Sequence, residues 1–322
     1  MGNDENIFDN EYALILFFFY LQQQQKTGEM LLELDKELRL SNRFFPNGKL
    51  IEIISSLSDI SCLQIKKGTS LYRCRQIKKE EEKKFFEKLT EGWISLARNF
   101  VPTIDENSGV EEWIKLSTYF NIHKDELPRW ERAYNQFVEN YSRPSFWGYN
   151  EADSDAPPQG CSPSGRINPD GISYLYAASD IKTAILEVRP IPTQFVSVAQ
   201  IEVVEDINIY SFAKPIQPDQ EGKDWVSWID YDEISKYFAQ PNYGGSSYYL
   251  ATQYISEFIK HMKTPDGQTS FDGLCFRSSL NSDGINYVLF DVSGTKKYRI
   301  CNSAVHQINN LLGDSTCILP MT

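Results

Sequence analysis

The sequence predicts an α+β protein: a helical N-terminal region over 1–65, then a mixed α/β domain over 66–322 with a helical insertion at about 76–150. Three observations carry this. Apolar residues recur at helical spacing through the first 150 positions. A Pro- and Gly-rich segment at 150–171 breaks any regular element. Beyond it, short runs rich in β-branched and aromatic residues dominate. Helices first and strands later point to segregated α+β layers, not a doubly wound parallel sheet.

Among the 322 residues, 41% hydrophobic and 13% aromatic content excludes a disordered chain, which lacks the apolar surface to offset its ordering entropy. The net charge of −12 repels phosphate backbones and argues against a nucleic-acid partner. The cysteines at 62, 74, 161, 275, 301 and 317 lack the paired spacing of zinc or thioredoxin motifs, so no metal is expected. Scattered cysteines behind an acidic start (Asp4, Glu5, Asp9, Glu11) fit a reducing cytoplasm rather than a secretory route. The apolar run Tyr12–Leu21 is half the ~20 residues a membrane span needs, so it reads as core helix or as a surface that pairs with a second copy.

Element by element, Leu31, Leu32, Leu34, Leu38 and Leu40 continue the first helix, and Leu50, Ile51, Ile53, Ile54, Leu57 and Ile60 mark a second, with turn chemistry at Ser41-Asn42 and Pro46–Gly48 between them. A strand is expected at Ser70–Cys74. Two amphipathic helices follow, one carrying Phe85, Leu89, Trp93 and Leu96, the other Leu127, Trp130, Tyr134, Phe137 and Tyr141. Ser173–Ala177 reads as a strand and Ser179 as the cap of a short helix bearing Ala184, Ile185 and Val188. Strands are expected at Phe195–Val204, Ile207–Phe212, Leu274–Arg277, Asn286–Asp291 and Lys297–Cys301. Residues 201–235 read as a polar acidic stretch, and Tyr248–Met262 as a helix.

Three places invite chemistry. In Gly165-Arg166-Ile167-Asn168-Pro169-Asp170-Gly171 a rigid loop presents an arginine, whose planar fork suits a phosphate; the pattern alone favours an incidental arginine on a surface loop. Glu187 sits on a helix with an apolar face, as a functional carboxylate or as an exposed helix residue. Ser278 and Ser279 end a strand after Asp272-Gly273, with no Gly-x-Ser-x-Gly elbow around them, so their hydroxyls read as groups that satisfy the backbone at a strand end rather than as a hydrolase nucleophile.

Taken as an ordered set, these segments resemble the RES domain family, named for its Arg, Glu and Ser. The run from Gly165 to Pro190, with Arg166 and Glu187 separated by 21 positions, is similar to the family's core signature. Leu71-Tyr72-Arg73 is similar to its opening strand. Thr252-Gln253-Tyr254-Ile255-Ser256-Glu257-Phe258, Phe271-Asp272-Gly273, Ser278 and Asn286-Tyr287-Val288-Leu289-Phe290 resemble its closing segments, so the likeness runs over about 70–300. It departs at Ile167, where the family often has Trp, and at Arg75, where it often has Tyr.

The resemblance implies a split β-sheet core like that of ADP-ribosyltransferases, and a bacterial toxin that consumes NAD+ as substrate, with no further cofactor. Under it, Arg73 and Arg166 bind the diphosphate, Tyr176 orients the nicotinamide ribose, Asn168 and Ser278 contact the ligand, and Glu187 supports the ribosyl cation. Arg166, Glu187 and Ser278 are then the catalytic set. The implied reaction is NAD+ hydrolysis or phosphorolysis, or else mono-ADP-ribosylation of a protein; the implied partner is an antitoxin or other regulatory protein. Two readings from other classes stand beside it: an inactive NAD or ADP-ribose binding module, and a HEPN-type RNase built on Arg299 and His306, which have six residues between them.

Overall fold

The computed structural model describes residues 5–46, 48–104, 109–213, 225–240, 249–290, 296–310 and 315–319. In chain order the elements are α1 (Glu5–Leu40), α2 (Lys49–Ser56), α3 (Ser58–Ser61), β1 (Cys62–Ile65), β2 (Ser70–Gln76), α4 (Lys79–Arg98), α5 (Gly109–Ile122), α6 (Leu127–Tyr141), α7 (Pro144–Trp147), β3 (Tyr174–Ala178), α8 (Ile181–Glu187), β4 (Phe195–Val203), β5 (Ile207–Phe212), α9 (Trp225–Ala239), α10 (Leu250–His261), β6 (Gly273–Arg277), β7 (Ile285–Phe290), β8 (Tyr298–Ile308) and β9 (Ser315–Leu319). The architecture is α+β, as the ordering of periodicities predicts. Tyr248 and Asp291, at the ends of an expected helix and strand, lie outside the described residues, as do Asp219, Glu221 and Asp224 of the acidic stretch.

The chain divides into two compact units. The first comprises Met1–Tyr72, Asp155–Glu187 and Ile201–Arg299; the second comprises Arg73–Ser154, Val188–Gln200 and Ile300–Thr322. The N-terminal helices therefore share a unit with the residues around Glu187, and the position 65/66, expected as a domain boundary, is not one between these units. The reason is burial. Leu31, Leu34 and Leu38 of α1 and Leu50 and Ile54 of α2 form one core with Phe238 of α9, Ile255 of α10 and the strand residues Phe212, Phe276 and Val288.

In the first unit the strand order is β1-β5-β6-β7-β3, with Tyr72 of β2 beside Ala178 of β3. β5 and β6 run parallel and the other pairs antiparallel. Register sets one row across four strands: Phe212 opposite Phe276, Phe276 opposite Asn286, Asn286 opposite Ala178. Residues in such a row share one face of the sheet. The row starts aromatic in the core and becomes polar at Asn286.

α1 is fastened to α9 by more than apolar contact. Buried Thr27 donates from Oγ1 to Asp230 Oδ1 at 2.5 Å, and Gln23 Nε2 donates to the same oxygen at 2.8 Å. α9 overlaps the end of the stretch over 201–235 that reads as polar and acidic, where the sequence predicts no helix. Its acids are spaced so that Ile229, Tyr231, Ile234 and Phe238 still face the core, a pattern masked when charge alone is counted.

The second unit has the strand order β2-β4-β8-β9 and the helices α4–α7. Trp93 of α4 meets Trp113, Trp130 and Phe137 at ring separations of 5.2, 5.8 and 5.9 Å, so the aromatic stripes of the insertion pack on one another. A cavity of ≈ 400 Å³ in this unit is walled by Ile77, Phe85, Leu89, Phe137, Trp147 and Phe195 among others. No lysine or arginine stands in this lining to hold a diphosphate, and none of the candidate site residues contributes to it.

Candidate active site

The loop between the Pro/Gly-rich segment and β3 is built around Asn168, which is 1% exposed. Its Nδ2 lies 3.2 Å from Ser162 Oγ and 2.9–3.1 Å from the carbonyl oxygens of Pro163, Pro169 and Ile172. Its Oδ1 accepts from the Tyr176 hydroxyl at 2.7 Å, and the same hydroxyl accepts from the Ile167 N–H at 3.2 Å. Both ends of the Asn168 amide are thus spent inside the protein. Gly165 closes the turn, its N–H donating to the Asn168 oxygen at 2.9 Å. A Cβ on Gly165 would stand 2.5 Å from Asn168 Oδ1, so the tight approach demands glycine.

α10 holds this loop from beneath. Thr252 Oγ1 donates to the Arg166 carbonyl at 2.5 Å. Gln253 Nε2 reaches Ser164 Oγ, the Gly165 oxygen and the Asn168 oxygen at 2.9, 2.7 and 3.1 Å. These adjacent polar residues are buried, which would cost several kcal/mol without such partners. Arg166 emerges half-buried from the clamped loop. Its Nη1 donates to the Phe238 carbonyl at 2.7 Å, and its guanidinium carbon lies 5.3 Å from the centre of the Phe276 ring. Burial pushes the Tyr176 hydroxyl pKa up, while hydrogen bonds from Ile167 and Asn168 and the Arg166 charge pull against it; the phenol stays protonated and donates.

Glu187 is the last residue of α8 and is exposed. Its Oε1 accepts from Ser278 Oγ at 2.6 Å and from Asn286 Nδ2 at 2.7 Å. Among the described residues no hydrogen bond ends on Oε2. Ser278 Oγ in turn accepts the N–H groups of Leu280 and Asn281 at 3.1 and 3.2 Å, which exhausts the hydroxyl. Ser278 and Asn286 are both buried, so the carboxylate is held from below and open above. Asn286 is the polar member of the cross-strand row, next to the Phe276 on which Arg166 stacks.

The 278–286 turn grips the start of α8 as well. Asp180, rather than the expected Ser179, caps the helix: its Oδ1 accepts from the Thr183 N–H at 2.8 Å and its Oδ2 from Thr183 Oγ1 at 2.6 Å. Thr183 Oγ1 accepts from Asn281 Nδ2 at 2.8 Å. Gly284 completes the fit, because a Cβ there would come within 2.3 Å of Thr183 Oγ1. Burial acts to raise the Asp180 pKa, but the hydrogen bonds from Thr183 and Ser179 outweigh it and hold the carboxyl below the usual carboxylate range. Its contribution to stability is therefore present at neutral pH. It fades as pH falls below the ordinary Asp value of about 3.9 and through the lower native one. Asp180→Asn is expected to destabilise the protein by about 1 kcal/mol at pH 7 and by less at pH 3, read from urea midpoints at both. An equal loss at both pH values would refute the ionised cap.

The structure brings Arg166, Asn168, Tyr176, Glu187 and Ser278 into the first unit and joins Glu187 to Ser278 directly. Arg73 lies half-buried on β2, one residue inside the second unit. The RNase pair does not find its helical setting. Arg299 and His306 both lie on β8, Arg299 bound to Glu202 through Nε and Nη2 at 2.8 and 2.6 Å, and burial lowers the His306 pKa. Among the described residues no group of three or more His, Cys, Asp or Glu is placed to hold a metal ion, and no helix is long and apolar enough to cross a membrane. Sequence reasoning missed Asn286, Gln253 and Thr252 as parts of the site. Each stands within a quoted segment, but its partner in the site lies 85 to 99 positions away, beyond the reach of short-range signals.

Residues 129–307 match the family model of the RES domain, more than half of the chain. This protein belongs to the RES family. The match takes in Arg166, Asn168, Tyr176, Glu187, Ser278 and Asn286; Arg73 and the opening strand stand before it. No curated protein and no solved structure matches the chain.

Proposed function

We propose that this RES protein cleaves the nicotinamide–ribose bond of NAD+. The cross-strand row carries the reading: it sets a cationic group, Arg166 on Phe276, beside an anionic one, Glu187 on Asn286. Breaking that bond builds positive charge on the ribose, as in glycoside cleavage. A carboxylate fixed beforehand stabilises this charge without reorganising as it forms. With Oε1 committed to Ser278 and Asn286, Oε2 is the oxygen that faces the ribose. Arg166 has donors beyond the one given to Phe238, and these take the diphosphate. Nicotinamide leaves as a neutral ring and needs no strong acid.

Asn168 and Tyr176 then act by shaping the loop that carries Arg166, and Ser278 by holding Glu187. The exposed carboxylate leaves the acceptor's path open to water or inorganic phosphate. Depletion of NAD+ would make the protein a toxin or defence effector acting in the cytoplasm, restrained by a neutralising protein partner.

The test is chromatography of NAD+ incubated with the protein, with and without phosphate. Nicotinamide with ADP-ribose indicates hydrolysis, and a phosphorylated sugar product indicates phosphorolysis. Absence of nicotinamide in both, together with NAD+ binding by calorimetry, would overturn the reading in favour of an inactive binding module.

A further inference from the structure

α1 joins the core only in its second half. Leu14–Phe19 and Leu21 are 40–64% exposed, against the expectation of a core helix there, whereas Thr27, Leu31, Leu34 and Leu38 are buried. The buried half packs on α9, and the two helices share a polar contact that little water reaches. Asp230 of α9 is 5% exposed, and its Oδ1 accepts from both Thr27 Oγ1 and Gln23 Nε2. Nearly one turn on, Glu233 Oε2 accepts from Gln24 Nε2 at 2.9 Å. Aliphatic contacts alone let one helix slide or roll on another. A buried carboxylate with matched donors does not, because any other register leaves it unpaired.

The far end of α9 touches the candidate site. Arg166 Nη1 donates to the carbonyl of Phe238, the last residue but one of the helix. The last four carbonyls of a helix lack partners within it and carry the negative end of its dipole, so a guanidinium is held well there. Phe238 is itself buried, stacked on Phe212 and in one core with Leu31, Leu34 and Leu38 of α1. From Asp230 to Phe238 is about 12 Å of continuous helix.

We propose that α1 is a positioning element of the candidate site: by fixing α9 through Thr27, Gln23 and Asp230, it sets where the Phe238 carbonyl stands and so where Arg166 points. The inference rests on the reading of Arg166 as the group that takes the diphosphate. A hydrogen bond weakens steeply as donor and acceptor part, so a slip of α9 along α1 by a fraction of a turn releases the guanidinium. Arg166 then has to be ordered anew each time substrate binds, which lowers affinity. The diphosphate is held alike before and during bond cleavage, so the loss falls on KM and not on kcat.

The experiment is steady-state kinetics of nicotinamide release by the full chain. Asp230→Ala is expected to raise KM for NAD+ about tenfold, with kcat within about twofold. Asp230→Asn keeps an acceptor oxygen for both donors and is expected to recover most of that loss. In an Arg166→Ala background, Asp230→Ala is expected to add nothing further, because the group it positions is gone. A rise that persists in that background would overturn the proposal, as would an unchanged KM or a loss confined to kcat. Should Asp230→Ala not fold, Thr27→Val removes one donor at nearly the same shape, with a rise of about threefold expected in the same comparison. A protein that neither binds nor cleaves NAD+, or in which Arg166→Ala leaves KM unmoved, would refute the reading of the site instead. Urea unfolding then decides the linkage. The midpoint loss from Arg166→Ala is expected to shrink sharply once Asp230→Ala is present; equal losses with and without it would overturn the proposal.

Discussion

Glu187→Gln is expected to lower nicotinamide release ~100- to 1000-fold with the fold intact, the loss typical of removing one preorganised electrostatic group. The amide retains an Oε1 that accepts from Ser278 and Asn286, so the anchoring survives and only the charge is lost. That separates chemistry from packing. Ser278→Ala supplies the contrast: it removes one of two bonds to Oε1 and leaves Asn286 in place, so a smaller loss, about tenfold, is expected. Residues that act as a unit are not additive, and combining the two substitutions should cost little more than Glu187→Gln alone. The measurement is nicotinamide release by chromatography, beside thermal melts to verify folding. Undiminished turnover in the Glu187→Gln protein would remove the carboxylate from the mechanism.

Asn168→Ala is expected to cost on the order of 3 kcal/mol of stability and to abolish activity with it. No solvent reaches this amide, which ties Ser162, Pro163, Pro169, Ile172 and Tyr176 into one loop. Truncation takes the acceptor from the Tyr176 hydroxyl and a donor from several carbonyls, and each buried bond left unmade costs about 1–3 kcal/mol. The loop carries Arg166, so its loosening moves the guanidinium off Phe276 and, in the reading proposed above, away from the diphosphate. Urea denaturation reads the first effect and NAD+ turnover the second. A protein as stable as the unaltered one would show that the loop is held by Thr252 and Gln253 alone.

Together the two substitutions separate residues that touch the substrate from residues that place those residues. The resemblance grouped Asn168 and Ser278 with the ligand contacts. Their hydrogen-bonding capacity is consumed within the protein, which makes them positioning residues in the reading proposed above. Arg166 and Glu187 keep groups to spare.

Much of the local structure was legible from the chain. β3, β5 and β6 lie within one residue of expectation, because short runs of apolar and aromatic residues bounded by turn residues are short-range signals. The helix of Glu187 was legible from similarly short-range signals, though its cap moved by one residue to Asp180, whose carboxylate reaches the Thr183 N–H while Ser179 donates its N–H to the Ile285 carbonyl and accepts the Ile285 N–H at its hydroxyl. α9 was not legible, since its acids hid an apolar stripe that only the neighbouring core gives a direction. β9 was missed as well, a five-residue edge strand defined by its partner β8.

Composition, spacing and turn chemistry were enough to specify an α+β chain, and the resemblance to the RES family then singled out Arg166, Glu187 and Ser278 as the residues to watch. They could not specify what Glu187 rests on. Asn286 stands 99 residues downstream of it, and only the pairing of β6, β7 and β3 brings that amide to the carboxylate and places Phe276 beside it under Arg166. Helix and turn preferences act over a few neighbouring residues. Which strand lies against which, and therefore which side chains stand side by side, is settled by the burial of the whole core.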